Sequence, residues 1–284
     1  ADDLPLAAWL DDHIFPAEAR FIRAETVHWG TLLAGAEMLL SGTTCCGDGY
    51  FYEDAVAQAV VDLGLRAMPA QGVVDFPAPG VPDPAENVAR ARHYAQTWRH
   101  RSRRITPSIF CHAPYSCGDG TLKAAKAAAD EMGLVFQIHV AETRLERDRS
   151  LKEKGLSPVA HLDRLGLLDR RTLMAHCVWV DAADMEIIAR RGCAVAHCPE
   201  SNLKLASGIA PVADMLAAGI AVALGTDGCA SNNNLDLLAE MDTAAKLHKL
   251  ATGDPTTLTA ANVVSMATLT GARALGLAER IGSL

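Results

Sequence analysis

Apolar positions along the chain follow two alternating patterns. Stretches with apolar residues three and four apart, which line one face of a helix, are separated by short continuous apolar runs. Such runs read as strands covered on both faces. The pattern predicts helices over Pro16 to Leu40, Tyr52 to Leu63, Pro84 to His100, Thr121 to Met132, Arg144 to Lys154, Pro158 to Leu165, Ala182 to Arg191, Pro211 to Ala218, Leu235 to Ala251 and Thr259 to Leu275. Gly133 and Gly192 close two of them, and the last has Thr259 as N-cap and Gly271 as a weak point. Seven strands fall between or beside them: Gly42 to Cys46, Leu65 to Val74, Ile105 to Cys111, Leu134 to Val140, Leu173 to Val180, Cys193 to Cys198 and Ile220 to Gly225. Strands alternating with helices indicate an α/β fold with a parallel sheet, one strand short of a closed eight-stranded barrel. The segment from Val74 to Pro84 carries four prolines and reads as a stiff lid or pocket wall.

Polar residues interrupt this pattern at one recurrent place. His112, His139, His176, His197 and Asp227 each close an apolar run. In a barrel of parallel strands the C-terminal strand ends face one mouth, so residues far apart in sequence converge there. Histidine and carboxylate converging in a polar mouth is how a catalytic metal site is built. Glu142 follows His139 by three residues, where the strand gives way to a loop, and can shuttle protons without being a ligand. Taken singly, each residue also reads as a core histidine or a turn carboxylate. Five in succession point to a site. His13, His93, His100, His161 and His248 lie in helical stretches and read as surface or structural residues.

Composition narrows the classes. The 284 residues are half hydrophobic, enough for a single barrel domain spanning residues 1–284. The net charge of −8 argues against a nucleic-acid partner. No apolar run approaches the roughly 20 residues of a membrane span. The opening Ala1-Asp2-Asp3 lacks the chemistry of a secretory signal, so a cytoplasmic location is expected. Eight cysteines occur without a C-x-x-C and read as reduced, buried thiols, with the Cys45-Cys46 pair ending a strand.

The motifs around these strand ends resemble the amidohydrolase superfamily, and more closely its 5′-methylthioadenosine/S-adenosylhomocysteine deaminase branch. They are His112-Ala-Pro-Tyr115, His139-Val-Ala-Glu-Thr143, His176-Cys-Val178, Pro199-Glu-Ser-Asn-Leu-Lys-Leu205, Gly208-Ile-Ala-Pro211 and Leu224-Gly-Thr-Asp-Gly-Cys-Ala-Ser-Asn-Asn233, with Asp2-Asp-Leu-Pro-Leu6 and Ile14-Phe-Pro-Ala-Glu18 near the start. The resemblance implies a TIM (β/α)8 barrel of the metal-dependent hydrolase type with one divalent metal, usually zinc. It implies His139 and Asp227 as metal ligands, with Asp227 also taking a proton from the attacking water. Glu142 would protonate the purine ring, His176 would orient the nucleophile, and Glu18 and His112 would contact the substrate. The reaction implied is hydrolytic deamination of a 5′-substituted adenosine (methylthioadenosine, S-adenosylhomocysteine, 5′-deoxyadenosine or adenosine).

Two departures from the family pattern are visible. The first-strand His-x-His, which supplies two further ligands in the family, is absent from this chain, and Ile281-Gly-Ser-Leu284 stops where the family runs on into a flanking β-sandwich. The expectation is an incomplete barrel, truncated at both ends. Gln71 stands where well-known members have a substrate-binding Arg. The alternatives are a related hydrolase of guanine, pterin or chlorotriazine rings, or a non-catalytic, metal-free barrel if the native chain starts at Ala1. The expected partner is a small nucleoside, with room for a homo-oligomer.

Overall fold

A computed structural model describes residues 3–283; Ala1, Asp2 and Leu284, including the start of the Asp2-Asp-Leu-Pro-Leu6 motif, lie outside the described residues. The chain divides into two compact units, residues 1–138 and 139–284.

The first unit holds β1 (Cys45–Tyr50), β2 (Arg66–Val73), β3 (Ile109–Cys111) and the opening residues of β4 (Phe136–Val140). Each is parallel to the next. The β1–β2 register runs from Cys45 opposite Arg66 to Tyr50 opposite Gln71, and β3 meets β4 through Ile109 opposite Phe136. The strands are short on the β3 side. Ile105 makes only an isolated bridge to Ala67, and Pro107, which has no N–H to give a ladder, separates it from β3. Helices Glu53–Leu63 and Asn87–Trp98 supply Val56, Val60, Tyr94 and Trp98 to a core shared with Leu65, Ala67 and Ile105. Burying one such aliphatic side chain stabilises by about 1.5–3 kcal/mol.

Two expectations for this unit change. Cys45-Cys46 begins β1 rather than ending a strand, because the pairing extends through Asp48 and Gly49, residues of low strand propensity. The predicted helix from Pro16 to Leu40 is broken. A one-and-a-half-turn π segment, Trp9–Ile14, leads into Phe15–Phe21, and Ile22 and Arg23 turn extended before Ala24–Leu40. The proline-rich segment is not loose. Ala78 and Val81 exchange backbone hydrogen bonds, Val81 is buried, and Asn87 holds the Val74 carbonyl.

The second unit starts within β4 and holds β5 (Thr172–His176), β6 (Ala194–His197) and β7 (Ala221–Leu224), again parallel, with His197 opposite Leu224. The β4 end joins β5 through Cys177 N–H to the Val140 carbonyl (3.0 Å) and Trp179 N–H to that of Ala141 (2.8 Å). Arg144–Lys154 and Ala182–Arg191 are helices with the predicted bounds. Two short helices, Pro199–Lys204 and Cys229–Asn232, lie where no helix was expected. The predicted final helix splits at Thr268 into Ala260–Ala267 and Leu269–Ala274, so Gly271 sits inside a helix and is not the breaking point. Thr259 does cap it, accepting from Asn262 N–H. Among the described residues no helix is long and apolar enough to cross a membrane.

Candidate active site

In the second unit the C-terminal ends of β4, β5 and β7 leave the strand conformation in the same unusual way. Ala141 (φ 52°), His176 (φ 72°), Cys177 (φ 47°) and Asp227 (φ 60°) all take left-handed backbone angles without being glycine. Such angles cost about 1–3 kcal/mol each and persist only where surrounding contacts impose them. Two of them, His176 and Asp227, are residues the sequence singled out, and Ala141 directly precedes Glu142.

Asp227 is the most firmly held. Its Oδ2 accepts from the hydroxyls of Ser201 and Ser231, both at 2.7 Å, and its Oδ1 from Gly228 N–H at 2.8 Å. Burial alone would raise this carboxyl. The neighbouring His176 and His139 imidazoles and the two serines outweigh it and hold Asp227 below the usual carboxylate range. Asp227 is therefore an ionised, acceptor-only group at neutral pH.

Glu142 has the opposite character. It is buried, and that burial, followed by the like charge of Asp227, pushes it up to about 7. One oxygen accepts from Ser207 (3.3 Å), and the other lies 3.7 Å from His176 Nε2. His176 is also buried. Its Nδ1 sits 3.0 Å from Asn202 Oδ1, an acceptor, so Nδ1 donates there and Nε2 is turned towards Glu142. The His139 and His176 rings are 5.2 Å apart. His139, Glu142, His176 and Asp227 thus form one group, in which the two carboxyls are shifted in opposite directions.

His197 does not join them. It ends β6 fully buried, with Nε2 3.1 Å from Nε2 of His248, and burial pushes it down to about 3. It is a neutral histidine tying the strand to helix Leu237–Thr252.

Glu18 and His112 lie in the first unit. Glu18 accepts a 2.6 Å hydrogen bond from the Tyr50 hydroxyl, and burial keeps it above the usual carboxylate range despite that bond. Phe15, three residues earlier on the same helical face, sets its ring 6.5 Å from that of His112. His112 Nδ1 is 2.8 Å from Ser116 Oγ, and Tyr115 lies edge-on to the ring. Gln71 is buried and accepts from Glu53 N–H at 3.4 Å, at the start of helix Glu53–Leu63.

The strand-end pattern leaves out the residues that support this group. Ser201, Asn202 and Ser207 come from the Pro199–Gly208 stretch, and Ser231 from the Ser-Asn-Asn run after Asp227. Their signal was present as hydroxyls and amides packed between two strand ends. Glu146 is a further one: its carboxylate accepts from Ala141 and Glu142 N–H, both at 2.9 Å, and fixes the turn that carries Glu142.

For a divalent metal, His139 and Asp227 offer an imidazole and an ionised carboxylate, the donor types zinc takes. The chemistry fits, but the number does not make a complete site. Among the described residues no group of three or more His, Cys, Asp or Glu could hold a metal ion, and catalytic zinc takes three protein ligands.

Known proteins are similar to this chain over nearly all of its length. The 5-methylthioadenosine/S-adenosylhomocysteine deaminase of Desulforudis audaxviator is 49% identical over 286 residues, an alignment that takes in all of this chain and 65% of that protein. The 5′-deoxyadenosine deaminase of Methanothermobacter thermautotrophicus is 45% identical over 281 residues, covering 98% of this chain and 64% of that protein. A crystal structure of an adenosine deaminase from Xanthomonas campestris with bound zinc superposes with a TM-score of 0.96 at 43% identity, over all of this chain and 64% of that one. The chain therefore has the fold of that deaminase and spans a little under two thirds of the length of these relatives. The amidohydrolase family model matches residues 1–284, and with the strand-end His and Asp set in place the chain belongs to the amidohydrolase family.

Proposed function

We propose that the chain is the site-bearing part of a metal-dependent aminohydrolase that replaces the 6-amino group of a 5′-substituted adenosine by oxygen and releases ammonia. The observation that carries the reading is the pairing of Glu142, pushed up to about 7, with the ionised Asp227. Deamination of an aminopurine adds water across a ring C=N bond and then expels ammonia. It needs one group that gives a proton to the ring nitrogen and later passes one to the amine, and a second that accepts a proton from the water. Glu142 is half-protonated near neutrality, the condition for moving a proton in both directions. Asp227 remains a base, and its three donors keep it from swinging away. His176, its ring oriented by Asn202, turns Nε2 into the group, where it can hydrogen-bond and align the incoming water.

A divalent ion such as zinc, held in part by His139 and Asp227, would supply the Lewis acidity that makes water nucleophilic at neutral pH. Glu18 supports a ribosylated substrate, since a carboxylate accepts well from a vicinal diol and Tyr50 fixes one of its oxygens. The names of the relatives support the same substrate class. The test is ammonia release together with the ultraviolet change from adenine to hypoxanthine, on methylthioadenosine, S-adenosylhomocysteine, 5′-deoxyadenosine and adenosine, using the zinc-loaded protein. Loss of the 6-amino group from at least one of them is expected. Zinc-replete protein that leaves all four unchanged refutes the reading.

A further inference from the structure

Three side chains of the site, Asp227, His176 and Glu142, are each tied to one short stretch of chain. Helix Pro199–Lys204 and the turn after it carry Ser201, Asn202 and Ser207. Ser201 donates to Asp227 (2.7 Å), Asn202 Oδ1 lies 3.0 Å from His176 Nδ1, and Ser207 donates to Glu142 (3.3 Å). Asn202 and Ser207 are also bonded to each other, since the Asn202 carbonyl accepts from Ser207 N–H at 2.9 Å. His176 Nε2 and Glu142 Oε2 face each other at 3.7 Å. The contacts therefore close a ring that runs from His176 to Asn202, Ser207, Glu142 and back to His176. The stretch is pinned from outside the ring as well. Asn202 N–H donates to the Cys198 carbonyl (3.0 Å), and the Trp179 indole N–H donates to the Ser207 carbonyl (2.6 Å).

Within that ring Asn202 is the residue that folding alone does not explain. It is 1% exposed, and its side chain makes one hydrogen bond, the one to His176. Nδ2 is equally buried and has no acceptor among the described residues. A buried amide N–H left bare costs about 1–3 kcal/mol. Leucine, an apolar side chain with the same branching, would avoid that cost. What the amide supplies here is an acceptor for His176. We infer that Asn202 is a positioning residue for the reaction. Its Oδ1 holds the His176 ring with Nε2 towards Glu142, and its carbonyl carries the same alignment through Ser207 to the Glu142 carboxyl. This assignment rests on the proposed roles of His176 and Glu142, the one aligning water and the other moving protons. It adds that a turn far along the chain, and not the two strand ends, sets how they meet. Without the Asn202 acceptor the imidazole can turn over about its Cβ–Cγ bond, which puts a ring carbon where Nε2 stands.

The test uses the whole zinc-loaded chain, with Asn202→Leu as the variant and methylthioadenosine as the substrate. Outer partners that orient reacting side chains are worth about 10–100-fold in activity, so kcat is expected to fall by that factor. KM is expected to stay within about threefold, because no contact to the substrate is removed. The urea midpoint should stay close to wild type, since the variant exchanges one bare polar atom, Asn202 Nδ2, for another, His176 Nδ1. Asn202→Ala, too short to reach the ring, is read the same way and serves where the leucine does not pack. A second readout does not depend on turnover. In protein labelled with 15N-histidine, the buried His176 Nδ1–H is expected as a slowly exchanging ring signal, identified by its loss in His176→Gln and lost again in Asn202→Leu. A kcat unchanged in both Asn202 variants overturns the assignment. So does a His176 ring signal that the substitution leaves untouched. Wild type that turns over none of the four adenosines, but whose ring signal is lost in Asn202→Leu, would refute the aminohydrolase reading while leaving Asn202 as the residue that orients His176.

Discussion

Glu240 makes the stability of this chain depend on pH in a way that one substitution isolates. Its side chain is fully buried, with Oε1 accepting from Asn232 Nδ2 at 2.5 Å and Oε2 from Glu200 N–H at 3.3 Å. Burial, and then the like charge of Glu200, push it from the ordinary 4.5 up to about 8. The folded state therefore binds this proton more tightly than the unfolded state. The stabilisation is fully present below about 4.5, declines above it, and is gone once pH passes about 8. Linkage over that interval gives a loss of roughly 2–3 kcal/mol between pH 5 and pH 7 from this group. Glu240→Gln removes the titration and presents one amide N–H to a donor, a pH-independent penalty of about 1 kcal/mol. Urea unfolding of both proteins at unit steps from pH 5 to pH 8 checks this. Glu142 and Glu146, both pushed up to about 7, titrate alike in the two proteins and cancel in the difference. The two are expected to be of nearly equal stability at pH 5, with the variant the more stable by roughly 2 kcal/mol at pH 7. Parallel pH profiles would refute the claim that Glu240 is buried as the neutral acid.

Three further outcomes are expected. Glu142→Gln keeps the side chain's shape but cannot move a proton, so kcat on the best adenosine should fall by about 10²–10⁴, while the urea midpoint at pH 7 should hold or rise, because the variant loses a titration that weakens the fold between about 4.5 and about 7; steady-state kinetics beside unfolding curves separates the two effects. Tyr50→Phe removes the hydroxyl that fixes Glu18, and a hydrogen bond to a carboxylate is worth about 1.5–3 kcal/mol, so KM should rise roughly tenfold while kcat holds; a fall in kcat alone would place Glu18 outside substrate binding. Gly208 has φ +127°, and an added Cβ would lie 2.9 Å from Val178 Cγ1 and 3.2 Å from Trp179 Nε1. Gly208→Ala should therefore cost more than about 1 kcal/mol by urea unfolding, whereas Gly120→Ala, in a helix with nothing near the new Cβ, should be neutral or stabilising by up to about 1 kcal/mol.

What the sequence discloses, and what it hides, follows from how far each signal reaches along the chain. Strands covered on both faces must be apolar throughout, so β4 to β7 and the polar residues ending them are readable from a few neighbours. Left-handed backbone at His176 and Asp227 is not readable that way, because no glycine announces it. Each residue has a side-chain partner 26 positions off: Asn202 for His176 and Ser201 for Asp227. His197 illustrates the same limit. It has the local signature of His139 and His176, an apolar run followed by histidine, yet its partner is His248, 51 residues on and inside a helix. His197 faces another buried imidazole and is a neutral strut; His176 faces a carboxyl and belongs to the candidate site. Spacing alone cannot separate those two fates. The carboxyls follow the same rule: Glu142 and Asp227 both follow apolar strands, and what sets Asp227 low is first the His176 and His139 imidazoles and then the Ser201 and Ser231 hydroxyls, whereas Glu142 has one long hydrogen bond from Ser207. The proposed division between acid and base thus depends on the histidines of neighbouring strand ends and, after them, on serines from segments whose sequence reads as loop.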